Sequence, residues 1–521
     1  MRQLSILLAA LMIGTLCSHA YDFQANDIYF DLNPDGTSVS VAKPGARFTY
    51  DQKTKSVVIP ETVAYNGKTY TVTAIGNDAF YRQSEFKKVE IPNTVTSIGN
   101  LAFFCCTKLQ SVSLPTQIKE IGLYAFSGCT ELKSITLPNS LTELGKGAFN
   151  GSGLTSVTIP SSITTLEGTF SECADLKTVT IPNSVTRLGK NAFSQCKSLE
   201  SITLPTSITE IDNNAFYLCT ALKSINIPNS VTSIGSYTFY LCTALESITI
   251  PNSVESIGGL AFYQCSALKS IDLPNIKKIA VETFYECTAL ESVTIPATVT
   301  LIDEHAFFGC TALKSVIIPP SVETIGNSAF LQCSSLKSCK IPNSVKSIEK
   351  KAFQDCTSLQ QVLLPDALKT ISERAFAGCA NLSRVQIPSS VATIYSLAFS
   401  GCKNLREIIS LNSIAPYLVE IEVFSDYDAT VYVKKTALES YQKKSLWHHF
   451  KRIATLDDYA TGDVNADGEI NVGDAASLIN TILDSNAYPY DAACDINGDG
   501  EINVGDASAL IAKLLADPTS L

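Results

Sequence analysis

Asp463, Asn465, Asp467, Glu469, Asn471 and Asp474 occupy positions 1, 3, 5, 7, 9 and 12 of the stretch DVNADGEINVGD, with Gly468 at position 6. Thirty-two residues later Asp495, Asn497, Asp499, Glu501, Asn503 and Asp506 repeat the set around Gly500. Calcium is a hard cation that takes about six to eight oxygen ligands. A loop of roughly a dozen residues supplies them when oxygen side chains stand at these positions, a backbone carbonyl at position 7 and a glycine turn at position 6. The expected chemistry is therefore the binding of two calcium ions. Glu469 and Glu501 serve through their carbonyls, Asn471 and Asn503 directly or through water. Position 12 is Asp rather than the longer Glu of an EF-hand. Each loop runs into a helical segment, AASLINTIL or ASALIAKLL, without an entering helix.

The rest of the chain offers little for catalysis. Beyond residue 20 the histidines are His305, His448 and His449, and no G-x-S-x-G elbow, H-E-x-x-H pair or phosphate loop occurs; LGKGAF at Leu144 lacks the upstream glycine. Carboxylate pairs of the glycosidase kind depend on three-dimensional geometry, and the acids of this region are scattered. The expectation is a non-catalytic protein. Charge agrees with that division: residues 457–521 hold 13 of the 50 acidic side chains and one basic residue, Lys513. The remainder is nearly neutral, which gives no clustered basic face for nucleic acid.

The chain opens with Arg2, an apolar stretch from Leu4 to Leu16, and Ser18-His19-Ala20 as a small-x-small site, so residues 1–20 read as an export signal and Tyr21 as the first mature residue. Leu16 disfavours lipid attachment at Cys17. No later apolar run reaches the roughly 18 residues needed to span a bilayer. A secreted, extracellular or surface-held protein is expected.

The positioning framework is periodic. Fourteen prolines, from Pro92 to Pro388, follow Ile or Leu at intervals of 22 or 23 residues. In the unit LESITIPNSVESIGGLAFYQCSA from Leu245, the residues Leu245, Ile248 and Ile250 alternate as a strand. Val254 and Ile257 follow the Pro-Asn-Ser turn, and Ala261, Phe262 and Cys265 mark a short helical turn. A coil with one apolar edge cannot bury it alone, so coils must stack and stability becomes a sum of neighbour interfaces. At about 4.8 Å per strand, the stack should extend on the order of 70 Å.

The pattern L-x-x-I-x-I/L-P-x-S-V-x-x-I-x-x-x-A-F-x-x-C resembles the BspA-type leucine-rich repeats of bacterial surface proteins, over about residues 75–405. The resemblance implies a right-handed leucine-rich-repeat solenoid of short strands and helical turns, used for binding or adhesion to a protein or glycan. Ser152 stands in for the cysteine of a unit, Thr169, Thr238 and Thr283 for the alanine, and NIKKIA at Asn275 drops one residue. Residues 21–74 read as a β-rich N-terminal cap, with Asn66-Gly67 at a hairpin turn. Residues 406–456 read as a C-terminal cap, with Trp447 and Phe450 covering the last coil.

Thirteen of the 17 cysteines, Cys106 to Cys402, recur at one place in their coils. Stacked neighbours about 5 Å apart with parallel side chains do not suit a disulfide, which brings β-carbons to roughly 3.8 Å, so buried free thiols are expected. Cys339 falls on an inward strand position; Cys105 and Cys494 have no evident place. The residue after the phenylalanine of each unit is mostly small or polar but turns aromatic in five successive coils, at Tyr217, Tyr240, Tyr263, Tyr285 and Phe308. These rings form either a stabilising ladder or a ligand-binding stripe for sugars or apolar surfaces. Outward Ser224, Ser247, Thr249, Ser292 and Thr294 make a neutral hydroxyl-rich face.

Duplicated loop-helix units with Asp at position 12 resemble a type I dockerin, over about residues 459–518 within a 457–521 tail. The resemblance implies a small all-α calcium module that plugs into a cohesin on a scaffold or cell surface, as in polysaccharide-degrading assemblies. In that family positions 10 and 11 of each loop help select the partner. Here they are Val472-Gly473 and Val504-Gly505, so the cohesin class stays open. The expected protein is a secreted recognition solenoid tethered by a calcium-loaded dockerin. The alternatives are an adhesin whose calcium loops are only structural, or an enzyme or inhibitor within a degradative complex.

Overall fold

The computed structural model describes residues 21–45, 55–459, 461–464, 469–483, 491–498 and 501–516. Residues 1–20, expected to be an export signal, the expected ligands Asn465, Asp467 and Asp499, and the turn glycines Gly468 and Gly500 lie outside them. The chain divides into two compact units, residues 1–220 and 221–521, each built from the same coil.

The first unit opens with an antiparallel meander of Phe23–Ala25, Ile28–Leu32 and Ser38–Val41. Ser38–Val41 then pairs in parallel with Lys68–Ile75, which folds back on Thr62–Tyr65. Asn66 and Gly67 form the hairpin turn, both with positive φ (51° and 74°), the pairing that a tight right-twisted hairpin requires. From Lys68–Ile75 onward pairing is parallel: Ala74 and Ile75 lie beside Ser97 and Ile98, and these beside Glu120 and Ile121. The cap thus supplies the first strand of the repeat ladder.

Each coil carries two short strands on different sides. Ser156–Thr158 pairs in register with Thr178–Thr180, and Thr165–Leu166 with Arg187–Leu188. In the second unit Ser224–Asn226 pairs with Ser247–Thr249, and Ser233–Ile234 with Ser256–Ile257. The alternation places Ile225 inside and Ser224 and Asn226 outside. The one-residue deletion at NIKKIA is absorbed in the proline turn, where Ile276 N–H bonds to Pro274 O. Lys278–Ile279 keeps its register with Leu301–Ile302.

The third side is a pair of successive turns, Tyr263 N–H to Leu260 O and Cys265 N–H to Phe262 O, which do not lengthen into a helix. Two left-handed residues per coil, Leu260 (φ 58°) and Gln264 (φ 53°) in this one, turn alternate N–H groups outward. Phe262 N–H accordingly reaches Thr283 O of the next coil at 2.9 Å. The phenylalanines stack beneath these turns: Phe80 to Phe216 in the first unit at 5.0–5.8 Å between centroids, and Phe239 to Phe424 in the second at 5.2–5.6 Å. Leu245, Val254, Phe262 and Cys265 are fully buried, each burial contributing about 1–3 kcal/mol.

No disulfide joins the described cysteines. The coil cysteines instead donate their S–H to a phenylalanine carbonyl of a preceding coil, as Cys265 does to Phe239 O at 3.2 Å. Burial pushes the Cys287 thiol up to about 12, so it stays protonated. Where threonine replaces alanine, Thr238 bonds to Gly235 O and Thr283 to Ala280 O, while the buried Thr169 hydroxyl has no partner among the described residues.

The second unit ends in a five-stranded parallel sheet: Gln361–Leu363, Arg384–Ile387, Glu407–Ser410, Thr430–Val433 and Arg452–Thr455. Over it fold a short helix α1 (Leu438–Lys443) and the buried Trp447. The Trp447 indole N–H bonds to Pro416 O at 2.8 Å. Its ring lies between Tyr441, Phe450 and Phe424, the last ring of the phenylalanine column.

Candidate calcium-binding module

Two helices, α2 (Val472–Leu483) and α3 (Val504–Ala516), follow the two loops. Their apolar faces meet around Leu478, Leu510, Leu514, Val464 and Cys494, with Ile470, Ile482, Ile496 and Ile502 packed against them. Cys494 is thus a core residue of this module. Burial raises its thiol far above the ordinary value, with Asp491 adding to the effect.

The helix starts are duplicated as closely as the sequence. Gly473 N–H donates to Asn471 Oδ1 at 2.7 Å and Asn471 N–H to Asp474 Oδ2 at 2.8 Å. Gly505 N–H donates to Asn503 Oδ1 at 2.7 Å and Asn503 N–H to Asp506 Oδ2 at 2.9 Å. Loop positions 9 and 12 are therefore also the first cap and the third helical residue of a reciprocal capping arrangement. Asp506 additionally accepts Ile496 N–H at 2.8 Å and Asn497 N–H at 3.2 Å, which ties the start of its loop to the end.

Asp474 and Asp506 are fully buried and Asp495 nearly so, in a module whose single basic residue, Lys513, is spent on Thr461 O. Buried carboxylates need a compensating cation. An all-oxygen donor set of Asp, Asn and carbonyl with that excess of buried negative charge fits calcium. Among the described residues no cluster of three or more acidic, His or Cys side chains is assembled as a metal site. The position-5 carboxylates Asp467 and Asp499 lie outside those residues. Of the remaining predicted ligands, Asp463, Asn471 and Asn503 are half-buried, and Glu469, Asn497 and Glu501 exposed.

Val472, Gly473, Val504 and Gly505 all lie at exposed helix starts. The sequence pattern had not marked what continues them. Val472 (56% exposed), Ile479 and Leu483 stand along α2, and Val504 (70%), Ile511 and Leu515 along α3, each the counterpart of the other 32 residues away. The offsets of seven and eleven residues put each trio on one side of its helix.

On the solenoid, Tyr240, Tyr263, Tyr285 and Phe308 form a face-to-face column with centroids 4.5–4.6 Å apart and planes within 13°. They are half-buried, so neighbouring rings cover their faces and their edges meet solvent. Burial and the adjoining Tyr240 and Tyr285 push the Tyr263 hydroxyl up to about 12. Tyr217, in the first unit, is likewise half-buried.

A contact absent from the sequence reading joins module to sheet. Arg384, 3% exposed, donates through Nη1 to Asp463 O (2.9 Å) and Tyr459 Oη (3.3 Å), and through Nη2 to Val464 O (3.4 Å) and Asp491 Oδ2 (3.3 Å). The buried Gln386 accepts Ala492 N–H at 3.0 Å. The available signal was the appearance of Arg and Gln at outward strand positions where Ser and Thr prevail.

The BspA type leucine rich repeat region family matches residues 46–169, 166–289 and 277–406, and the dockerin type I domain family matches residues 461–515. A leucine-rich repeat protein from Bacteroides ovatus ATCC 8483 is 32% identical, with 75% of this chain and 94% of that one covered and a TM-score of 0.61. A leucine rich cell surface protein from Faecalibacterium prausnitzii A2-165 is 27% identical, with 79% and 99% covered and a TM-score of 0.41. No curated protein matches the chain. Type I dockerins are calcium binders and imply a cohesin partner, and proteins of both families are typically extracellular or surface associated. No helix among the described residues is long and apolar enough to cross a membrane. The chain belongs to the BspA-type leucine-rich-repeat family and carries a type I dockerin at its C-terminal end.

Proposed function

We propose that the protein is an exported, non-catalytic binding protein whose solenoid recognises a protein or glycan and whose dockerin, holding two calcium ions, attaches it to a cohesin on a scaffold or cell surface. The observation that carries this reading is the pair of exposed apolar stripes, Val472-Ile479-Leu483 and Val504-Ile511-Leu515. A module that only ordered the chain end would have no use for six exposed aliphatic residues in twofold array. Asp463, Asn465, Asp467, Glu469, Asn471 and Asp474 hold one ion, and their counterparts 32 residues on hold the other. Val472-Gly473 and Val504-Gly505 begin the cohesin-facing surfaces. The aromatic column from Tyr240 to Phe308 in the second unit, and Tyr217 in the first, are the solenoid's candidates for ligand contact, through ring edges and hydroxyls.

The test is capture of the full mature chain on a panel of immobilised cohesins, with calcium and with chelator. Because either stripe can serve alone, Val472→Asp or Val504→Asp should weaken capture only about twofold, the loss of one of two equivalent modes. The double variant should abolish it, since a desolvated carboxylate in an apolar contact costs several kcal/mol. Absence of calcium-dependent capture by any cohesin would leave the loops a purely structural part.

A further inference from the structure

The outward strand column that includes Arg384 is otherwise small and wet. Ser224, Ser247, Ser270, Ser292, Ser315 and Ser338 occupy it and are all exposed. Beyond them the column reads Gln361, Arg384, Glu407 and Thr430, paired in register. Arg452 follows Thr430 in the same column and stays exposed, so of the two long cations there it is Arg384 that disappears from solvent. A guanidinium removed from water costs several kcal/mol unless its donors are met. Here Gln361, Tyr459, Asp491 and the carbonyls of Asp463 and Val464 meet the Nη1 and Nη2 donors, and Nε alone is left without an acceptor among the described residues. Tyr459 reaches on to Glu407 Oε2 at 3.3 Å and packs edge-on against Tyr432 at 4.8 Å.

We infer that the outer face of the last strands is a docking surface for the chain's own calcium module. The module is seated by Arg384 and Gln386 on the residues that open loop one and those that lead into loop two, and the seat is thermodynamically coupled to calcium. The geometry gives the reason. Two of the acceptors are main-chain carbonyls of Asp463 and Val464, at the first and second positions of loop one. Asp491 and Ala492 precede loop two by only a few residues. Carbonyls converge on one guanidinium only when the loop backbone holds its folded course, and calcium is what orders such a loop. Linkage then requires that the docked sheet raise calcium affinity by the factor by which calcium favours docking. The contacts come from Tyr459, Asp463, Val464, Asp491 and Ala492, and the exposed stripes of α2 and α3 take no part. A seated module therefore keeps both stripes available, and its orientation is set by the solenoid rather than by a loose tether. This inference rests on calcium binding by the loops and not on any cohesin.

Calcium titration and amide hydrogen exchange of the full mature chain, wild type against Arg384→Gln, test it, with Ser315→Gln as the control substitution in the same column. The expected result for Arg384→Gln is calcium binding weakened at least about fivefold. It should come with exchange at least about tenfold faster at Ala492, the amide given to Gln386, while Leu510 in α3 keeps its protection. Ser315→Gln should change neither. Unchanged Ala492 exchange, or unchanged calcium affinity, would overturn the proposal. Equal loss of protection at Leu510 would also overturn it, because Arg384 would then hold the module's fold and not its seat. Gln386→Ala gives an independent reading: it removes the Ala492 acceptor without a buried charge, and must speed that amide in the same direction.

Discussion

At the scale of single residues, repetition turns small choices into structural rules. The serine of Pro-Asn-Ser is one: Ser184 Oγ donates to Ile163 O, Ser253 to Val231 O and Ser344 to Val322 O, at 2.7–2.8 Å, each carbonyl belonging to the coil before. The serine looks like ordinary turn chemistry in the sequence, yet it stitches coils together. The glycine after the second strand is another. A β-carbon on Gly145 would lie 2.4 Å from the carbonyl carbon of Gly122 and 2.6 Å from its oxygen, so this pair of coils approaches too closely for a side chain there, whereas Asp303, Glu349 and Tyr395 hold the same place in later coils. Gly145→Ala should destabilise the first unit by about 1–3 kcal/mol, the cost of overpacking against an unyielding backbone. Urea unfolding monitored by circular dichroism would read it as a lower midpoint at constant slope. Ala at Gly36, where the added carbon meets nothing within 4 Å, would answer only to its φ of 64°. A midpoint unmoved by Gly145→Ala would mean that the coil spacing is looser than this contact demands.

Elements show where periodicity speaks and where it is silent. Strand, proline turn and phenylalanine turn could all be read from one 23-residue unit, because alternation and turn residues act locally. The second strand column and the left-handed residues could not. Leu260, Gln264, Glu282 and Glu286 have positive φ without being glycine, and only the next coil's carbonyls hold them there. In the calcium module the ligand spacing was legible but its second role was not. Asn503 and Asp506, the proposed ligands at loop positions 9 and 12, also cap α3. The two roles separate by experiment. Asn503→Ala should cost α3 about 1 kcal/mol of stability with chelator present, since an N-cap asparagine is worth that much without metal. Asn497→Ala, at position 3 and away from the helix start, should have its larger effect with calcium. Amide exchange of Leu510 in the two variants, with and without calcium, distinguishes them, and equal behaviour in chelator would refute the capping role.

For the whole molecule, the consequence of stacking is that register, not length, is the conserved quantity. Ser315, Val316 and Ile317 pair with Ser338, Cys339 and Lys340, so the chain returns to the same point of the coil after 23 residues. The same shift carries Thr324 and Ile325 onto Ser347 and Ile348. Removing residues 315–337 joins Lys314 to Ser338 and puts one coil's equivalent where another stood, with every inward residue still inward. Removing residues 315–325 instead joins the end of one coil to Gly326, beyond the second strand of the next. Proline turn and strand are lost together, and the phenylalanine column is pulled out of phase with both strand columns. The first deletion should fold, keep its calcium response, and lose only one neighbour interface, with a urea slope smaller by roughly one coil's share of buried surface. The second should leave the coils on either side of the cut without partners and give an aggregating chain, because a sheet that slips register turns its apolar set to solvent. Stability of the larger deletion above that of the smaller is the outcome a globular core does not produce. If the shorter cut proved the milder one, the coils would not be the units of stability.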